Sequence, residues 1–200
     1  MGRKSLEKNR KEKNEKTRTW AELLLPRLQE VNLAQLTMDD IAEKIQKSKS
    51  TLYEYFKTKE EVMDYVVEVR VLRLRAYKQN LTLSGEAPDK IYRQFIEMMS
   101  QGIKDVSSSF LHQLEQEYPS SWWIVRSFLN ELVKDLQLFY QVGMEAGYFR
   151  PSSVALLSSL DEFFVTQVIT NGDFFAQSGH RLEEIVKDYL VLKFEGLRLK

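Results

Sequence analysis

The chain has 200 residues, of which 43% are hydrophobic and 12% aromatic, so it can bury a core and is not a disordered protein. It contains no cysteine, which excludes disulfide and thiol chemistry. Because no apolar run approaches the roughly 18 residues that cross a bilayer, and the charged N-terminus lacks the apolar stretch of an export signal, we expect a cytoplasmic protein without a membrane partner.

The charge is unevenly distributed, although 29 basic and 29 acidic residues give a formal net charge of zero. Residues 1–78 contain 18 Lys or Arg and 13 Asp or Glu, a net charge of +5, and the remaining residues contain 11 and 16, a net charge of −5. A basic head on an acidic body is typical of a DNA-binding module attached to a domain that does not bind DNA.

Apolar residues recur with a helical period along nearly the whole chain, and no stretch alternates as a strand does. The pattern predicts an all-α fold of about nine helices, and Pro88, Pro119 and Pro151 suit the first turns of new helices. Pro26 lies inside the first helix and predicts a kink there. The predicted helices span residues 8–31, 38–45, 49–55, 59–82, 88–105, 107–117, 120–146, 152–171 and 181–198.

Residues 32–62 contain two short predicted helices joined by a tight turn at 46–47. Asn32 is a plausible left-handed cap that ends the first helix, and Thr37, Ser48 and Thr58 can cap the starts of the next three helices. Two such short helices cannot form a core alone, so they must pack on the first and fourth helices. This arrangement is a helix-turn-helix, which presents the start of its second helix to the major groove of DNA.

The apolar positions of this unit define an inward face, made by Ile41, Ala42 and Ile45 in one helix and by Leu52 and Phe56 in the next. The outward positions of the second helix are therefore polar: Lys49, Ser50, Thr51, Tyr53 and Tyr55. Lysines and hydroxyls are the groups that bind phosphates and base edges. A helix-turn-helix used only for packing remains an alternative, as does a half-buried structural role for Tyr53.

This stretch resembles the TetR family of transcriptional regulators. The residues that match the family signature in register are Thr37, Ile41-Ala42, Ser48-Lys49, Thr51-Leu52-Tyr53, Phe56 and Lys59-Glu60. Asn32, Gln46 and Ser50 replace glycines of the signature, Lys47 replaces an apolar residue, and Tyr55 replaces a common histidine. The loss of the turn glycine predicts a slightly strained turn at Gln46.

The resemblance implies a DNA-binding helix-turn-helix domain over residues 1–58 and a ligand-binding and dimerisation domain over residues 59–200. The implied partner is double-stranded DNA with a pseudo-palindromic operator. Lys47, Lys49 and Ser50 are candidates for facing base edges, and Lys59 for holding a phosphate. The complete set of expected DNA contacts is Thr37, Lys47, Lys49, Ser50, Thr51, Tyr53, Tyr55 and Lys59.

The last two long helices carry apolar stripes, and the resemblance implies that they pair with their two-fold mates in a homodimer. The stripes are Val154, Leu157, Leu160, Phe164 and Val168 in one helix, and Leu182, Ile185, Tyr189 and Leu192 in the other.

The resemblance also implies a ligand cavity in the body, which Met and aromatic side chains would make suitable for an unknown small apolar molecule. We expect the protein to be a repressor that such a ligand releases from its operator. The candidate lining residues, for which core packing is the alternative, are Phe95, Met98, Met99, Trp122, Trp123, Phe128, Phe163 and Phe164. Trp122 and Trp123 cannot both face the cavity, because neighbours on a helix point about 100° apart.

No enzyme is expected, because the sequence has no phosphate loop, GxSxG, HExxH or dinucleotide motif. His112 and His180 lie 68 residues apart, without the carboxylate or thiol spacing of a metal site, so we expect no metal or cofactor. Two alternatives remain at this point. A helical protein-interaction module would dimerise but bind DNA weakly, and an enzyme would turn over a substrate.

Overall fold

The computed structural model describes residues 10–82, 87–169 and 180–199. Within these ranges the chain is helical, and an isolated bridge between Phe149 and Arg198 is the only β pairing, so the predicted all-α fold is confirmed. None of the helices in these ranges is both long and apolar enough to span a bilayer. The helices are α1 (Glu15–Arg27), α2 (Met38–Lys44), α3 (Lys49–Tyr53), α4 (Lys59–Thr82), α5 (Pro88–Ile103), α6 (Ser108–Glu117), α7 (Pro119–Glu145), α8 (Val154–Phe163) and α9 (Leu182–Leu197), with a 3-10 turn at Leu33–Gln35 and a π-helical segment at Phe164–Ile169.

The first helix is shorter than predicted at both ends. Asn14 caps it in a reciprocal capping box with Thr17, so α1 starts at Glu15 rather than at residue 8. Pro26 lies in its last turn, and the helix ends at Arg27 rather than continuing to residue 31. Asn32 is not a left-handed cap either, because its φ is −72° and its side chain accepts a hydrogen bond from the N–H of Ala34 at the start of the 3-10 turn.

Later boundaries lie close to the predicted ones. Pro88 and Pro119 occupy the first turns of α5 and α7, as predicted. Pro151 instead lies before the helix, since Ser153 is the cap of α8. Residues 170 and 171, the predicted end of the eighth helix, lie outside the described residues.

Helix α4 is shared by the head and the body. It packs against α1 on one side and against α5 and α7 further along, and one continuous apolar core joins these elements. Polar contacts fix α4 against α7 along its length. Asp64 accepts hydrogen bonds from Ser120 at 2.8 Å and Ser121 at 2.6 Å, and Arg75 forms a two-pronged ion pair with Glu131.

The C-terminal end of α9 is joined to the connection between α7 and α8. The ring of Phe149 packs directly on Gly143. A Cβ atom at position 143 would lie 2.2 Å from that ring, so only glycine allows this close approach. The N–H of Arg150 donates to the carbonyl of Leu197 at 2.8 Å. These contacts set the position of α9 relative to α7.

A buried carboxylate, Asp161, ties α7, α8 and α9 together. It is 2% exposed and accepts hydrogen bonds from the hydroxyls of Tyr140 at 2.8 Å and Tyr189 at 2.9 Å. The ammonium of Lys193 lies 2.6 Å from the carboxylate and donates to the carbonyl of Leu157 at 2.8 Å. Burial, reinforced by the negative charge of Asp161, raises the pKa of both tyrosines, while burial lowers the pKa of Lys193 against the opposing effect of Asp161.

Replacing Lys193 with Met should lower the free energy of unfolding by roughly 3 kcal/mol, because it leaves a buried carboxylate without its counter-charge. Lys49→Met is a matched control, since Lys49 forms an ion pair of similar length (2.7 Å) with Asp39 on the exposed surface. The control should change stability by less than about 1 kcal/mol. Urea denaturation at one protein concentration measures both, and equal losses would show that burial of the Asp161 pair contributes nothing.

Candidate DNA-binding site

The start of α2 is fixed by the capping box that the sequence predicts. The hydroxyl of Thr37 accepts a hydrogen bond from the N–H of Asp40 at 3.2 Å, and the Asp40 carboxylate accepts one from the N–H of Thr37 at 2.8 Å. The Thr37 hydroxyl also donates to Asp40 at 2.6 Å, and these bonds from Thr37 lower the pKa of that carboxyl. Thr37 is exposed, and its hydroxyl is already hydrogen-bonded to Asp40 within the capping box.

The turn between α2 and α3 adopts the left-handed conformation that the resemblance associates with glycine. Gln46 has a φ of 55°, which costs a non-glycine residue roughly 1–2 kcal/mol. The turn is held by the N–H of Lys47, which donates to the carbonyl of Ala42 at 2.9 Å. The predicted strain at Gln46 is thus present, and the tight turn is kept.

Hydroxyl groups cluster at the start of α3. Ser48 is the cap, as predicted, and its oxygen accepts a hydrogen bond from the N–H of Thr51 at 3.2 Å. The same oxygen lies 2.9 Å from the hydroxyl of Ser50 and 2.8 Å from that of Thr51. Leu52 is buried beneath them, so the inward anchor of α3 is as predicted.

An acidic residue of α2 holds the predicted base-reading lysine. The ammonium of Lys49 lies 2.7 Å from the carboxylate of Asp39, and both side chains are about half exposed. This hydrogen bond to Asp39 raises the pKa of Lys49. Lys49 and Asp39 are therefore neighbours on the surface, and Lys47 and Ser50 are also exposed.

The two tyrosines near the end of α3 have different environments. Tyr53 is 41% exposed, which favours the outward position over the buried alternative. Tyr55 follows the end of the helix, which is two residues shorter than predicted, and is half-buried with its ring 5.4 Å from Trp20 in an edge-to-face contact. The prediction that Tyr55 lies on the outward face is wrong, because its ring packs on α1.

Lys59 begins α4 at the junction with the body. Its side chain is half-buried, and its ammonium lies 5.6 Å from the ring centre of Tyr118, between α6 and α7. The hydroxyl of Tyr118 donates to the carbonyl of Leu33 at 3.2 Å, and burial raises its pKa to about 12. The lysine thus connects the head to the body, in addition to any role toward DNA.

The body contains a small apolar cavity of about 40 Å³ between α5, α7, α8 and α9. Three predicted ligand residues line it: Phe95, Met99 and Phe164. Phe95 also lines a larger groove of about 250 Å³ between α5 and α7, together with Tyr92, Leu136, Phe139 and Val142. Sequence reasoning missed Tyr92 and Phe139, although Tyr92 lies one turn before Phe95 and Phe139 belongs to the apolar stripe of α7.

The other predicted ligand residues are not on the lining of this cavity. Met98, Trp122 and Phe128 are buried elsewhere in the core, and Phe128 packs beneath the guanidinium of Arg75. Trp123 is 70% exposed and Phe163 is 58% exposed, and neither lines the cavity. The eight candidates therefore do not form one cluster.

The structure also places the apolar stripes of α8 and α9 differently from the prediction. Leu157 and Phe164 are buried inside the body, while Leu156, Leu160 and Phe163 form the exposed face of α8. Leu182 is buried, Ile185 and Tyr189 are half-buried, and Leu192 is 75% exposed. Of the predicted stripes only Leu160 and Leu192 are largely exposed, and the side chain of Val168 lies outside the description.

Comparison with known proteins supports the assignment of the head. Residues 28–66 match the family described as bacterial regulatory proteins, tetR family. The chain is similar to an uncharacterised HTH-type transcriptional regulator, YvaF, from Bacillus subtilis, with 25% identity over 97 residues. That alignment spans 48% of this chain and 50% of the relative, so it covers about half of the relative's length.

Solved structures share the fold over most of the chain. The ketosteroid transcriptional regulator KstR2 of Mycobacterium tuberculosis aligns with a TM-score of 0.66 at 18% identity, covering 96% of this chain and 100% of its own. AibR, solved in complex with isovaleryl coenzyme A and operator DNA, aligns with a TM-score of 0.62 at 14% identity. The alignment covers 90% of this chain and 98% of AibR. The predicted arrangement of a helix-turn-helix head on a helical body is confirmed.

Asp39→Asn should strengthen binding to duplex DNA about fivefold at low salt, because it removes a carboxylate that competes with phosphate for Lys49, an effect of about 1 kcal/mol. Glu43→Gln is the control, since it changes the net charge equally on the same helix but lies beside Arg27 and Lys44. Fluorescence anisotropy with a random-sequence duplex measures both. The same gain in both variants would contradict a specific role for the contact between Asp39 and Lys49.

Proposed function

We propose, on the premise that the chain is a TetR-family transcriptional regulator, that it binds a pseudo-palindromic operator as a homodimer and represses transcription until a small apolar ligand releases it. The observation that carries the proposal is the capped α3, whose exposed side is made of lysine and hydroxyl groups. Because such a regulator acts on the chromosome, the cytoplasm is its proposed location.

Within this proposal α3 enters the major groove. Lys47, Lys49 and Ser50 face base edges, and Thr51 and Tyr53 are placed to bind the backbone. Thr37 and Lys59 are assigned to phosphates at the starts of α2 and α4. Tyr55 is assigned to positioning α3 through its contact with Trp20, rather than to DNA.

The proposed division of the chain keeps residues 1–58 as the DNA-binding domain and residues 59–200 as the ligand-binding and dimerisation domain. Helix α4 belongs to the second domain but completes the core of the first, since Val62, Met63 and Val66 are buried in the same apolar cluster as Leu24 and Phe56. A change in the tilt of α4 would therefore move the DNA-reading unit.

The proposed dimer interface is the exposed apolar face of α8 and α9. Leu156, Leu160 and Phe163 lie one turn apart along α8, and Leu192 is exposed on α9. Such a face exposes a row of large apolar side chains that a second copy would cover through an isologous contact. Two copies related in this way would present two α3 helices to successive major grooves.

Replacing both Leu160 and Leu192 with Glu should convert the dimer to a monomer and weaken operator binding at least a hundredfold, because two half-sites are then no longer bound together. Leu138→Glu is the control, since Leu138 is 62% exposed on α7 away from this face. Sedimentation velocity and anisotropy measure the two properties. A double variant that remains dimeric would contradict the proposed interface.

The cavity and the groove together suggest how a ligand could act. At about 40 Å³ the cavity is far smaller than the roughly 300 Å³ of typical ligand pockets, so a ligand would have to part the surrounding helices. Phe95 and Leu136 line both the groove and the cavity, and therefore lie between them. Since α5 and α7 both pack on α4, parting them would tilt α4 and alter the spacing of the two α3 helices.

The apolar lining supports an apolar ligand, and AibR provides a fold relative that was solved with both a coenzyme A thioester and operator DNA. Release requires that the ligand bind the two conformations with different affinity, because equal binding shifts no equilibrium.

Phe95→Ala should join the groove to the cavity and raise the affinity for the apolar probe N-phenyl-1-naphthylamine about tenfold. Trp123→Ala is the control, because that exposed ring lies outside both spaces. Probe fluorescence measures binding, and operator anisotropy with and without saturating probe measures release. Unchanged probe affinity in the Phe95 variant would contradict the proposed binding route, and unchanged operator affinity would contradict the coupling.

A further inference from the structure

A pocket of about 320 Å³ lies at the junction of the head and the body, between α1, α4 and the C-terminal end of α5. We call it the junction pocket. Its apolar wall includes Leu25 of α1 and Val66, Val69 and Leu74 of α4, all of which are buried. Ligand pockets begin at roughly 300 Å³, so this space can hold a small molecule. It shares no lining residue with the cavity or the groove beside Phe95 and is therefore a separate site.

Arg70 of α4 lines the junction pocket and is half-buried. Its guanidinium donates to the carbonyl of Gly102 at 3.3 Å, and within the described residues it makes no further hydrogen bond and no ion pair. Arg75 of the same helix is held differently, by two hydrogen bonds to the carboxylate of Glu131. Because a guanidinium has five N–H donors, most of those of Arg70 are available to a ligand.

The position of Arg70 follows from a close approach of α5 to α4. Gly102 lies in the last turn of α5, and a Cβ atom there would clash with the side chain of Leu74. Carbonyls in the last turn of a helix have no partner within the helix, so that of Gly102 is free to accept from Arg70. This contact holds the guanidinium at the junction between the two helices.

The charges around the pocket are unequal. The charged lining residues are Glu22, Arg70, Arg73, Lys104 and Asp105. Three are basic and two are acidic, so the lining carries a net charge of +1, and Glu22 also lies 3.8 Å from the guanidinium of Arg18. Burial lowers the pKa of Arg70, and Arg73 adds to this effect against the opposing effects of Asp105 and Glu22. The two carboxylates therefore do not compensate for the burial of this cation.

We infer that the junction pocket binds a small carboxylic acid with an apolar body, whose carboxylate pairs with Arg70 and whose apolar part packs on Leu25 and Val66. A guanidinium can donate two parallel hydrogen bonds to a carboxylate, which gives this pair both strength and direction. One negative charge matches the net charge of the lining, which favours a carboxylate over a doubly charged phosphate. The inference goes beyond the proposed function, because it concerns a second ligand site and does not depend on binding to DNA.

A ligand in this pocket contacts the head and the body at once. Leu25 belongs to α1 of the head, and Gln101 and Lys104 belong to the end of α5 and the residue that follows it. Binding therefore favours the arrangement in which these two elements are close, because a ligand shifts an equilibrium toward the conformation that it contacts best.

The first experiment titrates the native full-length chain with 3-phenylpropionate and with 3-phenylpropanamide, which has nearly the same shape but no charge. Calorimetry at low salt should show one site per chain and an affinity for the acid at least tenfold higher than for the amide, because only the acid forms charge-assisted hydrogen bonds with a guanidinium. Equal affinities, or no binding of the acid at millimolar concentration, would overturn the inference.

The second experiment locates the acid. Arg70→Gln should lower its affinity at least tenfold and leave the affinity for the amide unchanged. Arg126→Gln is the matched control, because it removes the same charge from an exposed position of α7 outside the pocket, and Phe95→Ala tests the cavity and the groove. Both controls should bind the acid as the native chain does. Native affinity in the Arg70 variant, or an equal loss in the Arg126 variant, contradicts the site.

A third variant keeps the test valid if Arg70→Gln does not fold. Lys104 is exposed, so Lys104→Gln leaves the core unchanged. It should weaken binding of the acid about threefold at low salt and have little effect at high salt, where exposed charges are screened. Unchanged affinity at low salt contradicts recognition by the charge of the lining.

The junction pocket and the proposed function fail separately, because all of these titrations are made without DNA. Absence of acid binding removes the ligand site and leaves operator recognition intact. Absence of operator binding contradicts the proposed function and leaves the pocket and its ligand as inferred.

Discussion

The structure depends on α4, one unbroken helix of 24 residues that joins the head and the body through one apolar core. Near its start it completes the head, because α2 and α3 are too short to bury an apolar core by themselves. Further along it lies against α5 and α7. Ion pairs and hydrogen bonds to α7 fix the rotation of α4 about its axis and its position along α7. Any rearrangement of the body that alters the packing of α5 or α7 must therefore move the helix-turn-helix head or break these contacts. Lys59 adds a further link at the start of the helix, above the ring of Tyr118.

The body is organised around a second constraint, the buried carboxylate of Asp161. Its carboxylate accepts hydrogen bonds from Tyr140 of α7 and Tyr189 of α9 and forms an ion pair with Lys193 of α9. The same residue lines the small cavity. A buried charge with this many partners ties α8 and α9 to α7, because removing one partner leaves the charge uncompensated in the core. The outer faces of α8 and α9, which we assign to the dimer, are held in place by the same group. The cavity and the proposed interface therefore share one support.

Local features of the sequence predicted the structure well, and features set by tertiary contacts did not. Caps at Thr37 and Ser48 follow from short-range hydrogen bonds, so the helix-turn-helix and its inward anchor Leu52 were predictable. The register of α8 was not, because leucines occur on both of its faces and only packing decides that Phe164 is buried and Phe163 exposed. The position of Tyr55 could not be predicted because it depends on a tertiary contact with Trp20. The start of α1 was predicted too early because the charged run before Asn14 is compatible with a helix, and only the contact between Lys11 and Glu54 shows that this run is not part of it. Only three of the eight ligand candidates line the cavity, because residue type and helical position alone cannot separate a lining residue from a core residue.

Selection of duplexes from a random pool by the purified native protein tests the central claim most directly, because it requires DNA recognition, symmetry and spacing together. We predict enrichment of a pseudo-palindrome whose half-sites are centred about one helical turn, or a multiple of it, apart. An enriched single half-site without symmetry would contradict the dimeric arrangement. No enrichment at low salt would contradict the regulator itself.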